Sequence, residues 1–397
     1  MSPDQVYKAP RPQGRLLRVF AFDPSLSIDV KSALINQLTL NVPWEDVDPG
    51  PCGEYLEVVD VDPASSAFYP PVDLDDNYLL VQDGLPPSEG TPQFHQQMVY
   101  AVASKTIQNF ETALGRKILW APHDTGNGEP EYVRCLRIYP HALRQANAYY
   151  SPVKKALLFG YFPATAKDVG HNLPGGVVFA CLSKDIITHE TTHAILDGLH
   201  PFFNEPSNPD VLAFHEAFAD VVALFQHFSN PEIVRSQIAQ TRGDLYNDNL
   251  LVQFARQFGE ATGSRGALRS AIGMPPDPAA MQSTIEPHDR GSILVAAIFK
   301  AFLTVYATRT ADLIRIATGG SGVLPAGAIH PDLVNRLAGE AAAIAQHILI
   351  MCIRALDYCP PVDITFGEYL RALVTADFNL APEDPDGFRV AMIDSFR

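Results

Sequence analysis

Apolar and polar positions change their rhythm near the middle of the chain. In the first ninety residues short apolar runs stand among Pro, Asp and Gly, and Leu16 to Phe22 (L-L-R-V-F-A-F) and Tyr55 to Val61 (Y-L-E-V-V-D-V) read as strands. P-P-S-E-G-T-P at 86 to 92 is turn-rich, and a helical pattern follows from Gln93 to about Leu114, closed by Gly115. Val133 to Tyr139 and Ala156 to Phe162 read as further strands. From Ser183 the period becomes helical. Ser183 caps, Asp185 sits in the first turn and Gly198 is placed to end the helix. A second helix runs from about Asp210 to Phe228 and stops before N-P at 230 and 231. Helical patterns then cover roughly 248 to 261, 291 to 308, 330 to 357 and 366 to 375.

This organisation predicts an α+β fold with a strand-rich N-terminal half and a helical C-terminal half. The divisions it suggests are a strand- and loop-rich extension over 1–90, an α+β lobe over 91–200, and a helical lobe over 201–397. The junction at 183–200 is where a cleft is expected.

A formal net charge of -16 argues against a nucleic-acid partner, because phosphate binding needs clustered Lys and Arg. The five cysteines (Cys52, Cys135, Cys181, Cys352 and Cys359) are far apart and form no C-x-x-C, so reduced, mostly buried thiols are expected. The N-terminal residues hold no apolar stretch of signal-peptide length. Apolar segments such as Ile293 to Tyr306 contain Lys300 and are expected to be too short to span a bilayer. The expectation is a cytoplasmic protein with no membrane partner, export without a cleavable signal being left open.

The chemistry concentrates in I-T-H-E-T-T-H-A-I-L-D-G-L at 187 to 199. Residues four apart share a helix face, so His189 and His193 can present two imidazoles to one ion. Glu190 is rotated by about a third of a turn and can reach a metal-bound water rather than the metal. A catalytic zinc wants three protein ligands and an open position. In the next helix, D-V-L-A-F-H-E-A-F-A-D, Glu216 and Asp220 are two carboxylates one turn apart on an otherwise apolar helix. Such carboxylates are rarely buried unless paired or metal-bound. Glu216 is favoured as third ligand, with Asp220 accepting from a ligand histidine. His215 is a competing ligand candidate.

Taken together, D-I-I-T-H-E-T-T-H-A-I-L-D (185–197) and H-E-A-F-A-D (215–220) resemble the zinc segments of the thermolysin-like metallopeptidases, which are gluzincins. The resemblance runs in order over roughly residues 93 to 305. N-A-Y-Y-S-P-V (147–153) resembles the family's edge strand, which implies that Asn147 and Ala148 hold substrate backbone. G-A-L-R-S (266–270) implies a carbonyl-binding Arg269 and a pocket-lining Leu268, and Ile186 falls at another apolar pocket position. E-P-H-D-R-G-S-I (286–293) implies that His288 donates to the tetrahedral oxyanion.

Three departures stand beside these matches. Phe203 stands where the family usually has an oxyanion-binding Tyr. Ser283 stands where an Asp would orient the histidine, with Glu286 as the substitute. His227 stands where the calcium cluster would have a Glu. The resemblance thus implies a zinc metallopeptidase with one Zn2+ per chain, no calcium, and a peptide or protein substrate carrying an apolar residue after the scissile bond. The alternative is a weakly active or inactive relative that binds peptides or a protein partner in the same groove.

Overall fold

Residues 14–20 and 37–43 build the first layer, because these two alternating segments pair along their whole length. β1 (Gly14–Phe20) and β2 (Gln37–Pro43) run antiparallel, with Leu17 opposite Leu40 and Val19 opposite Leu38. The computed structural model describes residues 12–27, 35–124, 130–165, 175–246, 251, 253–254, 269–270 and 280–397, and it is a mixed α+β structure.

Helix α1 (Pro92–Leu114) packs on this layer. It starts with Pro in the first turn and stops at Gly115, which takes φ 68° and returns its N–H to the Glu111 carbonyl. Its buried amides fasten the loops around it. The Gln96 carbonyl oxygen accepts from Val72 N–H and its amide donates to Asp60, both at 2.8 Å. Gln97 accepts from Leu85 N–H and donates to the Arg18 carbonyl, also at 2.8 Å. Burying two amides is tolerable because each finds partners on both sides.

The main sheet contains β3 (Leu56–Val58), β4 (Leu136–Leu143), β5 (Ala148–Ser151), β6 (Ala156–Pro163) and β7 (Val177–Phe179). Its order is β7-β6-β4-β3, with β5 also paired to β6. β4 lies parallel to both β3 and β6, whereas β5 and β7 are antiparallel to β6.

The helical half contains, among the described residues, α2 (Lys184–Leu199), α3 (Pro209–His227), α4 (Pro231–Thr241), α5 (Pro287–Ala317), α6 (Pro331–Ala355), α7 (Phe366–Leu380) and α8 (Phe388–Ser395). α3 is the central rod: it packs on α2, on α5 and on α6. Buried apolar side chains from Leu17 to Met392 form one continuous core.

The structure departs from the sequence reading at several points. Gly198 does not end α2 but lies inside it, where an added Cβ would come within 2.1 Å of the Leu119 carbonyl oxygen. Its role is close approach of two backbones rather than capping. Gly198→Ala should therefore destabilise the protein by about 1–3 kcal/mol, read by denaturant unfolding. Within the stretch expected to be helical over 248–261, Gln253–Phe254 is instead β8, paired antiparallel with β9 (Arg269–Ser270). A short apolar run carries too little periodicity to separate the two states. The strand expected at 133–139 runs later, over 136–143.

The helix expected over 291–308 extends over 31 residues to Ala317, since no glycine interrupts it from Gly291 until Gly319. That length overturns the argument that the apolar segment around Ile293–Tyr306 is too short for a bilayer. By length and composition, Pro287–Ala317 and Pro331–Tyr358 are both long and apolar enough to cross a membrane. In each, more than half of the apolar window is buried inside the protein.

Candidate metal centre

Ser183 caps α2 by accepting the Ile186 N–H, which sets the phase of the helix that follows. That phase places His189 and His193 one turn apart with their Nε2 atoms 2.9 Å from each other. From α3, Glu216 brings one carboxylate oxygen to 3.3 Å from His189 Nε2 and the other to 3.7 Å from His193 Nε2. Ligand atoms of all three residues lie within 4.8 Å of one another.

The outer hydrogen bonds test whether this donor set suits a cation. His189 Nδ1 lies 2.9 Å from Asp220 Oδ1, an acceptor-only group, so Nδ1 carries the proton and Nε2 turns a lone pair into the cluster. His193 Nδ1 lies 2.6 Å from His215 Nδ1. With a cation in the cluster His193 takes the same tautomer as His189, donating from Nδ1 to His215. Two imidazole lone pairs and a carboxylate then converge, a set that fits zinc. Burial pushes the pKa of His215 down to about 4, which keeps its ring neutral and able to accept. Burial alone would raise the Glu216 pKa. The neighbouring His189 and His193 rings outweigh it, and the carboxyl is held far below its usual range.

Glu190 is buried beside the cluster, and one of its oxygens accepts the Tyr150 backbone N–H at 2.8 Å. That N–H belongs to the outward edge of β5, since Tyr149 and Ser151 alternate with it toward β6. One turn past His193, Asp197 gathers the Tyr150 hydroxyl at 2.6 Å, Lys155 Nζ at 2.8 Å and Asn204 Nδ2 at 2.7 Å. This hub fixes the edge strand against α2, and so holds Glu190 in register with it.

A cleft of about 400 Å³ opens over the cluster, lined by Asn147, Ala148, Tyr149, Leu212 and His288 as well as by His189, Glu190, His193 and Glu216. His288, at the start of α5, is half exposed. Its Nδ1 lies 2.8 Å from Glu286 and its Nε2 3.2 Å from Glu216. Glu286, which also caps α5, occupies the orienting position expected of it.

Most of the expected site residues therefore meet: His189, Glu190, His193, Glu216, Asp220, Asn147, Ala148 and His288. Ile186 does not join them. It is buried in the core and does not line the cleft, because the first turn of α2 points that side chain into the apolar interior. Arg269 lies in β9 opposite Phe254, with its side chain outside the described residues, as is Leu268. Phe203 is fully buried, stacked on His200 at 4.4 Å with its edge toward Phe214, so this position packs the core instead of facing the cleft.

Sequence reasoning missed three contributors. His215 meets the outer Nδ1 of His193 at 2.6 Å; its rotation from Glu216 was visible in the sequence, but not the partner it would meet. Tyr150 and Asn204 carried no comparable signal, since their roles arise through the Asp197 hub. Asp220→Asn should weaken metal binding by about 10–100-fold, measured by competition with a chromophoric chelator.

The geometry defines a class of site, a largely buried group of two histidines and one carboxylate that could hold a cation, flanked by a second glutamate at the base of a cleft. A scan against models of known families matches none, and a search of curated proteins finds no significant match.

Proposed function

We propose that the protein is a zinc metalloendopeptidase of the thermolysin-like, gluzincin kind, with a two-lobed zincin arrangement in which α2 forms the floor between a strand-rich and a helical lobe. One observation carries the reading: His189, His193 and Glu216 converge on a cation-sized point while Glu190 is held beside it by the Tyr150 N–H.

Held by these three residues, zinc would supply a Lewis acid and make a water at the site acidic enough to lose its proton near neutral pH. Glu190 takes the proton of the attacking water and later delivers it to the leaving amine. Ala148 offers outward backbone groups on the β5 edge, where an extended peptide adds as a further strand, with Asn147 at its entrance. His288 donates from Nε2 toward the developing oxyanion, and Glu286 holds its ring. Leu212 gives the cleft an apolar wall, in keeping with an apolar residue after the scissile bond. Arg269 is assigned the substrate carbonyl by resemblance, with Leu268 beside it. The five free thiols suit a reducing cytoplasm.

Metal analysis of purified protein, joined to profiling on a diverse unstructured peptide library, tests the proposal. The expected result is cleavage that a chelator abolishes and zinc restores. Protein that binds no zinc at the cleft overturns it. An intact zinc site without cleavage of any peptide favours the peptide-binding alternative.

A further inference from the structure

A second group of ligating side chains lies apart from the cleft, where the start of α1, strand β4 and the turn before α2 meet. His95 and His141 face each other, with His95 Nδ1 and His141 Nε2 2.8 Å apart. Cys181 completes the group, with one ligand atom of each residue within 4.8 Å of the others. All three are at least nine-tenths buried, at 1 %, 2 % and 0 % exposure.

The outer nitrogens are already committed. His141 Nδ1 lies 2.6 Å from Asp60 Oδ1 and His95 Nε2 lies 3.0 Å from the Glu89 carbonyl oxygen. A carboxylate and a carbonyl only accept, so both outer nitrogens carry protons. Two neutral imidazoles would then press lone pairs together across 2.8 Å in a dry interior. A positive charge between them removes the conflict, and it is supplied either by an extra proton or by a metal ion. The arrangement repeats the logic of the cleft: an inner pair of nitrogens, with each ring oriented by an outer acceptor. The Asp60 carboxylate is itself fixed by the Gln96 amide at 2.8 Å. The rings of Tyr69 and Phe179 stand edge-on to His141, at 5.1 and 5.6 Å, and help keep water out.

We propose that His95, His141 and Cys181 form a structural site for a thiophilic divalent metal ion of the zinc class. Charge balance favours a divalent ion. Binding displaces the proton shared by the imidazoles and the proton of the thiol, both of which leave to solvent. The ion's two positive charges are then balanced by the Cys181 thiolate and the Asp60 carboxylate, and the buried cluster stays neutral. Sulfur and imidazole together select this class over calcium or magnesium, which take oxygen. Cys181 lies two residues before the Ser183 cap of α2, so the ion would tie α1 and the sheet to the base of the helix that carries the cleft.

Metal-free full-length protein titrated with Co2+ gives the test, because the cleft cluster contains no sulfur. Wild type is expected to bind two equivalents, one of them producing a thiolate-to-cobalt charge-transfer band in the near ultraviolet. Cys181→Ser should lose that band and one equivalent. Glu216→Gln should keep the band while losing the other equivalent. His95→Gln, which leaves the thiol in place, should also lose the band, guarding against a misfolded serine variant. No band in wild type, or a band that survives in Cys181→Ser, overturns the proposal and leaves a proton-bridged histidine pair. A single equivalent with the band sustains this site while refuting the cleft reading, and a single equivalent without it does the reverse.

Discussion

Glu190→Gln is expected to retain its zinc while losing peptide cleavage by about two to four orders of magnitude, the range that a positioned general base supplies. The amide preserves shape and can still accept the Tyr150 N–H that now binds Glu190 at 2.8 Å. The proposed ligands His189, His193 and Glu216 remain untouched, so metal content should equal that of wild type. What disappears is the ability to take the water's proton. Metal analysis and kcat/KM on one cleaved peptide, measured on the same preparation, check both halves. Equal cleavage by variant and wild type would remove Glu190 from the chemistry, and lost zinc would make it a structural partner of the ligands.

The second large effect concerns the frame that holds α3. Arg290 on α5 donates from Nε to Asp210 at 2.7 Å, and from one terminal nitrogen to the carbonyls of Met281 and Thr284 at 2.6 and 2.9 Å. The other Asp210 oxygen accepts the Phe366 N–H at 3.0 Å, so one carboxylate joins α3, α5 and α7. Both side chains are largely buried. Arg290→Met strands the Asp210 charge, and a loss of about 3–5 kcal/mol is expected in denaturant unfolding. Adding Asp210→Asn in that background should recover part of the loss, since the uncompensated charge is then gone. A single-variant loss below about 1 kcal/mol would mean that water screens the pair.

The two helix faces that carry the candidate ligands were legible in the sequence because each is set by local spacing. Helical spacing alone puts His189 and His193 on one side of α2, and Glu216 and Asp220 on one side of α3. The capping of α1 by Gly115 was equally plain. The strand at 156–163 announced itself through an unbroken apolar run, as a fully buried strand does. Gly198 misled because a glycine near a helix end reads as a stop, whereas here it admits the Leu119 carbonyl from a distant segment. Phe203 misled for a similar reason. Sequence order could align it with a cleft position, but only packing shows its ring buried against His200 and Phe214.

The sequence by itself determined the two helix faces that carry the candidate cation ligands, the change from strand-rich to helical organisation, and the place of Glu190 beside those ligands. Periodicity encodes these, and it acts within a few residues. Only the tertiary structure decided that His215 meets His193, that the Tyr150 N–H holds Glu190, and that His95, His141 and Cys181 meet in a second cluster. Those contacts join residues far apart along the chain, the first of them 22 positions and the second 40. No local pattern specifies them, because they follow from how buried apolar faces stack and leave their polar groups to find partners.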